Sequence, residues 1–209
     1  MIPTISFDPS HHIYQVDGEV KLSVTQVLDA NGMYPDFGKS EVNARFGTIG
    51  HKIVKMMIEG SLAGYDPAFE PWAIGIRKFI EEQRPVPEHM EIMKYTEKGD
   101  YIGTVDFIGM IEFFKSRCLL DWKFWASTSK LTLTLAGYQT AGYSRLFFGA
   151  VPVRRAVVHF FEEGYTIYPL TDCLDSTAFS SLLNVARLKL KNGIYKLENG
   201  GSDVECGKD

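Results

Sequence analysis

Two neighbouring runs, YIGTVDFIGMIEFF at residues 101–114 and RCLLDWKFW at residues 117–125, decide how this sequence is expected to fold. Both are rich in β-branched and aromatic residues, and only the turn KS separates them, so they predict an antiparallel pair of strands. Asp121 follows Asp106 by 15 residues, a separation that suits two strands joined by a short turn. We therefore expect the two carboxylates to lie side by side.

Side chains alternate between the two faces of a strand, which gives each run an expected inner and outer face. In the second run Leu119, Asp121 and Lys123 share one face, and the opposite face carries Leu120, Trp122 and Phe124. In the first run one face is expected to carry Ile102, Thr104, Asp106, Ile108 and Met110. A charged pair inside an apolar run is costly to bury unless it is paired or bound.

The rest of the chain predicts a mixed α/β domain with a central mixed sheet flanked by helices and with an N-terminal helical section. A hairpin over 11–20 precedes helices over 24–32, 40–59 and 71–83, and a strand over 88–97 precedes the central pair. A helix over 133–149, two strands within 153–170 and a helix over 176–195 follow. Residues 1–196 are interpreted as one domain and 197–209 as a flexible tail.

Composition excludes several classes. The 209 residues are 45% hydrophobic, which argues against disorder, and the formal net charge of −4 provides no overall basic field for nucleic acid. The three cysteines are far apart and predict neither a zinc site nor a disulfide set. We see no signal peptide and no membrane-spanning run, so we expect a cytoplasmic protein with no membrane partner.

The pair formed by Asp121 and Lys123 has two interpretations. As a surface ion pair it would contribute only about 0–1 kcal/mol. Beside Asp106, however, two carboxylates repel each other unless a positive group lies between them, and a divalent cation or Lys123 would meet that need. Asp106 alone would be interpreted as an ordinary strand-end aspartate.

Further polar residues accompany this pair, each with an ordinary alternative. Gly47 and His51 lie one helical turn apart, which leaves space beside an imidazole, although a lone histidine is more often partly buried in a core. Glu91 lies 15 residues before Asp106 and alone would be an exposed strand residue. Gln139 and Tyr143 share a helix face at i and i+4, a spacing equally compatible with core packing.

In this order the motifs resemble the PD-(D/E)xK nuclease superfamily, in the RecB-like exonuclease branch. The resemblance rests on Gly47 to His51, Glu91, Gly103 to Asp106 in GTVD, Asp121 to Lys123 in DWK, and Gln139 to Tyr143 in QTAGY. It covers about half of the chain. Within the family, the motifs look most like those of phage exonucleases and the mitochondrial genome maintenance exonuclease. Phe124 departs from the threonine that often follows the lysine in that family.

The resemblance implies a restriction-endonuclease-like core and a Mg²⁺- or Mn²⁺-dependent deoxyribonuclease that acts on single-stranded or duplex DNA ends, in phage or bacterial DNA recombination, repair or processing. It assigns metal ligation to Asp106, Asp121, Glu91, His51 and the carbonyl of Trp122, and a catalytic role to Lys123. Gln139 and Tyr143 would position the substrate or Lys123. No cysteine precedes Cys118, so no iron–sulfur cluster is expected.

Substrate contacts and alternatives complete the expectations. Arg45 is a candidate phosphate contact, as are basic residues of the last helix, and Trp72, Tyr101 and Trp125 are candidates for stacking on unpaired bases. A solvated helix face and core packing are the ordinary alternatives. A phage or host recombination partner is possible. Two other functions stay open: a catalytically silent nucleic-acid-binding module of the same fold, and an RNA-directed nuclease.

Overall fold

A computed structural model describes residues 3–8, 13–33, 41–97 and 100–197, with the side chains of 41–44 excluded. The strands are β1 (Ile5–Asp8), β2 (Ile13–Val16), β3 (Glu19–Ser23), β4 (Val86–Thr96), β5 (Tyr101–Met110), β6 (Arg117–Lys123), β7 (Arg154–Phe161) and β8 (Gly164–Pro169). The helices are α1 (Val24–Asp29), α2 (Glu41–Ile58), α3 (Glu70–Gln83), α4 (Lys130–Phe148) and α5 (Asp175–Lys191). A 3₁₀ turn, Pro67–Phe69, leads into α3. The expected tail from residue 198 onwards, and the start of the predicted hairpin, lie outside the described residues.

The described strands form one mixed sheet in the order β1-β2-β3-β5-β6-β7-β8, with β4 paired to β5. The predicted central mixed sheet flanked by helices is therefore confirmed. β4, β5 and β6 are antiparallel as expected, whereas β3 pairs with β5 and β6 pairs with β7 in parallel. α4 makes the crossover from β6 to β7, because parallel neighbours need a long connection. Within the described residues, no helix is both long enough and apolar enough to cross a membrane.

The sheet separates two apolar cores. On one face Leu119 and Val105 pack with residues of α4 and α5, including Tyr143 and Phe179. On the other face Leu120 and Trp122 pack with α2 and α3, whose buried residues there include Ile53, Val54, Ile76 and Phe79. The expected opposite faces of β6 are thus confirmed for Leu119, Leu120 and Trp122.

The pleat of β4 and β5 is interrupted where Glu91 and Asp106 face each other. The strand pairs that flank them are Met90 with Phe107 and Ile92 with Val105. Glu91 has a φ of +50°, the left-handed region that non-glycine residues rarely adopt. The pleat therefore reverses at this point.

The reversal is visible in the packing of β5. Val105 and Ile108 lie in the core shared with α4 and α5 although they are three residues apart, whereas Ile102 packs with Tyr14 and Val16 of β2. The expectation that Ile102, Thr104, Asp106, Ile108 and Met110 share one face is therefore wrong, because it assumed an unbroken pleat.

β3 and β6 share one edge of β5. β4 pairs along most of β5, so the contacts at Tyr101–Ile102 with β3 and at Phe107–Met110 with β6 must occupy the other edge. Residues 103–106 lie between these two pairings. The gap leaves room at Asp106 for side-chain and backbone groups that a continuous ladder would exclude.

Both central strands end earlier than expected. β6 ends at Lys123 rather than 125, because the Trp125 carbonyl is bonded to the imidazole of His159 at 2.9 Å. β5 ends at Met110 rather than 114, because the chain turns there, with the Lys115 N–H bonded to the Ile111 carbonyl at 2.9 Å. α4 begins three residues earlier than expected, at a Ser129 cap that accepts from the Thr132 N–H.

A buried ion pair joins the crossover helix to β7 and α5. Arg155 Nη2 lies 2.9 Å from Asp175 Oδ2, and Nη1 donates to the carbonyl of Gly137 at 2.8 Å. A side chain at Gly137 would meet the Asp175 carboxylate at 2.8 Å, so glycine is needed for this approach. Both charges are nearly excluded from water, with 12% and 6% of their side chains exposed.

Arg155→Leu should lower the free energy of unfolding by about 3–5 kcal/mol, because it leaves the Asp175 carboxylate buried without its partner. Urea denaturation followed by circular dichroism measures the change. Arg77→Leu, which removes the exposed ion pair with Glu70, is the matched control and should have a much smaller effect. Equal losses in the two variants would contradict the prediction.

Candidate metal centre

Three ligand side chains from separate elements meet at the interrupted part of β4 and β5. His51 of α2, Glu91 of β4 and Asp106 of β5 each offer one ligand atom, and these atoms all lie within 4.8 Å of one another. His51 Nδ1 lies 3.2 Å from Asp106 Oδ1 and 3.9 Å from Glu91 Oε1. This group could hold a metal ion.

The backbone of β6 fixes the Asp106 carboxylate. The Trp122 N–H donates to Asp106 Oδ2 at 2.7 Å, while the other oxygen, Oδ1, faces His51. β5 and β6 pair from Phe107 with Leu120 outward, and this bond lies just beyond that end of the ladder. The carboxylate thus occupies the place where the two strands separate.

Glu91 brings a buried acceptor to the group. Its Oε1 is inaccessible to water and has no hydrogen-bond partner among the described residues. An unsatisfied buried carboxylate oxygen is costly, and a bound cation would satisfy it. The positive φ of Glu91 adds a backbone cost of about 1–3 kcal/mol, which is typical of functional positions.

Asp121 and Lys123 form the second half of the centre. Lys123 Nζ lies 2.8 Å from Asp121 Oδ2 and donates to Gln139 Oε1 at 3.2 Å. Gln139 Nε2 in turn donates to the hydroxyl of Tyr143 at 3.1 Å. The predicted face shared by Gln139 and Tyr143 is thus directed at Lys123 rather than at solvent.

Asp121 lies outside the group of three ligands that meet within 4.8 Å. Its proposed metal ligation stays a prediction, as does that of the Trp122 carbonyl. The charges of Asp106 and His51 nevertheless both act on the pKa of Asp121, as is expected where the two halves are adjacent.

The pKa values of Asp106 and His51 are shifted in opposite directions. Burial is the largest single effect and would raise the pKa of Asp106, but the charge and hydrogen bond of His51, together with the Lys123 charge and the Trp122 N–H, hold that pKa below its usual value. Burial is the largest single effect and would lower the pKa of His51, but the charge and hydrogen bond of Asp106, together with the Asp121 charge, raise that pKa. The two residues therefore favour an ion pair.

The other two carboxyl groups, those of Glu91 and Asp121, have raised pKa values, in contrast to Asp106. Burial, reinforced by the Asp106 charge, raises the pKa of Glu91 to about 7. Burial also raises the pKa of Asp121, in spite of Lys123. Three carboxyl groups and one imidazole whose pKa values are shifted in different directions are typical of a functional site.

Glycines set the spacing around the centre, although not at every expected place. A Cβ at Gly47 would have no atom of the described residues within 4 Å, so no close contact requires glycine at this position beside His51. The close helix contact is made instead by Gly50, where a Cβ would lie 2.5 Å from the Phe124 ring. Gly103 of the GTVD motif similarly admits the ring of Tyr143, which a Cβ would meet at 2.8 Å.

Sequence reasoning missed Gly50 and also Tyr14. The Tyr14 hydroxyl is bonded to Thr104 Oγ1 at 3.2 Å, and burial with the charges of Glu91 and Asp106 raises its pKa. The strand pattern of β2 carried no signal for this, because only the tertiary pairing of β1–β3 with β5 brings Tyr14 to the centre. Gly50 could have been found as a second small residue one position before His51.

The basic residues expected to contact phosphates differ in their surroundings. Arg45 is exposed on α2, about 120° around the helix from His51 by helical geometry, and its phosphate contact stays a prediction. In α5 Lys189 donates to the carbonyl of Ala30 at 2.7 Å and thus caps α1. Lys191 and Lys196 are exposed.

A scan against models of protein families gives no match for this chain, and a search of curated proteins gives none.

Without metal, Glu91→Gln should be more stable than the wild type at pH 8, and the difference should shrink towards pH 5. Because the folded-state pKa of Glu91 is raised from 4.5 to about 7, its contribution is favourable below pH 4.5 and is lost as pH rises through 7. Thermal unfolding in EDTA over this pH range measures the difference.

Adding Mn²⁺ at pH 8 should reverse the order of stability. A ligand that binds the folded state raises its melting temperature, and the wild type retains the ligand that Glu91→Gln lacks. Glu59→Gln, at an exposed residue just after α2, is the control and should follow the wild type in both buffers. An equal gain from Mn²⁺ in all three proteins would count against Glu91 as a ligand.

Proposed function

We propose that this protein is a divalent-metal-dependent nuclease that hydrolyses phosphodiester bonds at DNA ends. The observation that carries the proposal is the convergence of His51, Glu91 and Asp106 beside the ion pair of Asp121 and Lys123. These residues come from α2, β4, β5 and β6, so the arrangement is not a local charge cluster. It combines cation ligands with a lysine that can face a phosphate.

The order of elements supports the same proposal. β5 and β6 are antiparallel, α4 crosses over, and β7 returns parallel to β6. The carboxylates sit on β5 and β6, and the glutamine and tyrosine sit on the crossover helix, as the resemblance to PD-(D/E)xK nucleases implies. The restriction-endonuclease-like core is part of this proposal.

The donor set fits a hard divalent cation. Carboxylate oxygens from Glu91 and Asp106 suit Mg²⁺, and the imidazole of His51 makes Mn²⁺ suitable as well. His51 would have to lose its proton for this role. When bound, the ion supplies Lewis-acid polarisation of the phosphodiester and lowers the pKa of water.

The protein's own groups would then position the reaction. Asp106 is held by the Trp122 N–H, so its free oxygen keeps one direction. Lys123, held between Asp121 and Gln139, would orient the attacking water and stabilise negative charge on the phosphate in the transition state. Tyr143 holds Gln139, and Arg45 would contact a flanking phosphate.

Lys123→Ala should reduce the cleavage rate of end-labelled linear DNA by about 100-fold or more, since it removes a preorganised positive group from the transition state. Asp106→Asn should reduce it at least as much, because it weakens the cation site. Release of label is measured with Mg²⁺ or Mn²⁺ and again with EDTA, on matched single-stranded DNA, duplex DNA and RNA.

Lys78→Ala removes an exposed lysine of α3 and is the matched control, with an unchanged rate expected. An unchanged rate in Lys123→Ala, or no metal-dependent cleavage by the wild type, would refute the proposal. Cleavage of RNA alone would instead identify an RNA-directed nuclease, and binding without cleavage would identify a silent module. Label released from one end only would give the polarity.

A further inference from the structure

Three aromatic rings continue outward from Lys123 at the ends of β6 and β7. The Trp125 ring centroid lies 6.0 Å from Lys123 Nζ, and the ring centroids of Trp125 and His159 are 6.0 Å apart. Phe161 follows, with its ring centroid 5.7 Å from that of His159. We call Trp125, His159 and Phe161 the aromatic row.

Strand register places this row beside the candidate metal centre. Lys123 is paired with His159 in the parallel ladder of β6 and β7, so their side chains share a face of the sheet. Phe161 lies two residues further on the same face. It fits there because Gly164 of β8 has no side chain, and a Cβ would lie 2.5 Å from the Phe161 ring.

His159 holds the row in place. It is buried, and its Nε2 is bonded to the Trp125 carbonyl at 2.9 Å. This bond fixes the first residues after β6, which would otherwise be free of the ladder. The backbone at Trp125 is therefore held in place, and less backbone entropy is lost when its ring makes a contact.

The other candidate stacking residues belong to the core. Tyr101 is buried and donates to the Gly142 carbonyl at 3.0 Å, and Trp72 packs against Phe46 and Phe69. By contrast Trp125 is partly exposed and Phe161 is 40% exposed. Core packing therefore accounts for the first two residues and leaves the aromatic row for another role.

We propose that Trp125 and Phe161 stack on unpaired bases of a DNA strand whose backbone passes Lys123. This inference rests on the proposed function and names its substrate as a single-stranded end. In a duplex each base is already stacked and paired, whereas an unpaired base offers a free face to an aromatic ring. Stacking also suits a chain with a net charge of −4, which cannot depend on overall charge to hold DNA.

Trp125→Ala should weaken binding of a fluorescein-labelled oligothymidylate by about tenfold, the loss of about 1.4 kcal/mol, at the lower end of stacking on one base. Fluorescence anisotropy in EDTA measures affinity without cleavage. Trp125→Phe should retain most of the affinity because it keeps an aromatic face, and Phe161→Leu should show a smaller loss than Trp125→Ala. Trp72→Phe, a matched aromatic change in the core, should bind as the wild type does.

The same strand made abasic should bind the wild type more than about tenfold more weakly, because it loses stacking on both rings, and should be insensitive to Trp125→Ala. The matched duplex should bind more weakly than the single strand. Oligouridylate in a further arm decides between DNA and RNA strands, and tighter binding of oligouridylate than of oligothymidylate would overturn the assignment to DNA.

Equal affinity of Trp125→Ala and the wild type, or no measurable binding of oligothymidylate by the wild type, would overturn the inference. Cleavage of duplex DNA by Trp125→Ala at the wild-type rate, with no base dependence of binding, would leave the nuclease intact and remove the aromatic row from it. Base-dependent binding without any metal-dependent cleavage would do the opposite, supporting the row and refuting the proposed nuclease.

Discussion

The hydrogen bond from the Trp122 backbone to the Asp106 carboxylate is the contact on which the arrangement of the centre depends. It lies just beyond the point where the pairing of β5 with β6 ends, so the Asp106 side chain accepts the Trp122 N–H in place of a backbone carbonyl. Because it uses one oxygen of Asp106, the other is directed at His51. The same bond places Asp121 and Lys123, on either side of Trp122, next to the candidate ligands Glu91 of β4 and Asp106 of β5. The apolar cores on both faces hold these strands in register.

The centre combines several local costs that the surrounding structure must offset. Glu91 has a strained backbone and a buried oxygen with no hydrogen bond from the part of the chain that the structure describes, and two carboxyl groups have raised pKa values at the same place. Such features persist where well-packed neighbours determine the conformation. Here Leu119, Leu120 and Trp122 are fully buried immediately around Asp121. The apolar packing of β6 thus helps to offset the cost of the adjoining polar groups.

Much of this arrangement could be predicted from short-range patterns, and the remainder depended on tertiary contacts. The short turn between the central runs correctly predicted their antiparallel pairing, and the i, i+4 spacing of Gln139 and Tyr143 correctly placed both on one helix face. Periodicity could not reveal the reversed pleat at Glu91, because positive φ at a non-glycine residue leaves no trace in composition. Nor could it show that Gly50 contacts Phe124, or that Arg155 and Asp175 form a buried pair, since those partners are 20 or more residues apart in the chain.

The meeting of His51 with Asp106 spans 55 residues of chain, and Glu91 lies between them in sequence. A cation shared by these three side chains would act as a removable cross-link between α2 and the sheet. The loop between His51 and Asp106 is long, and the entropy cost of closing a loop grows only slowly with its length. The bound cation would add a cross-link to α2, which already packs against Phe124 at Gly50. The contacts among His51, Glu91 and Asp106 would thus make the attachment of α2 responsive to metal supply.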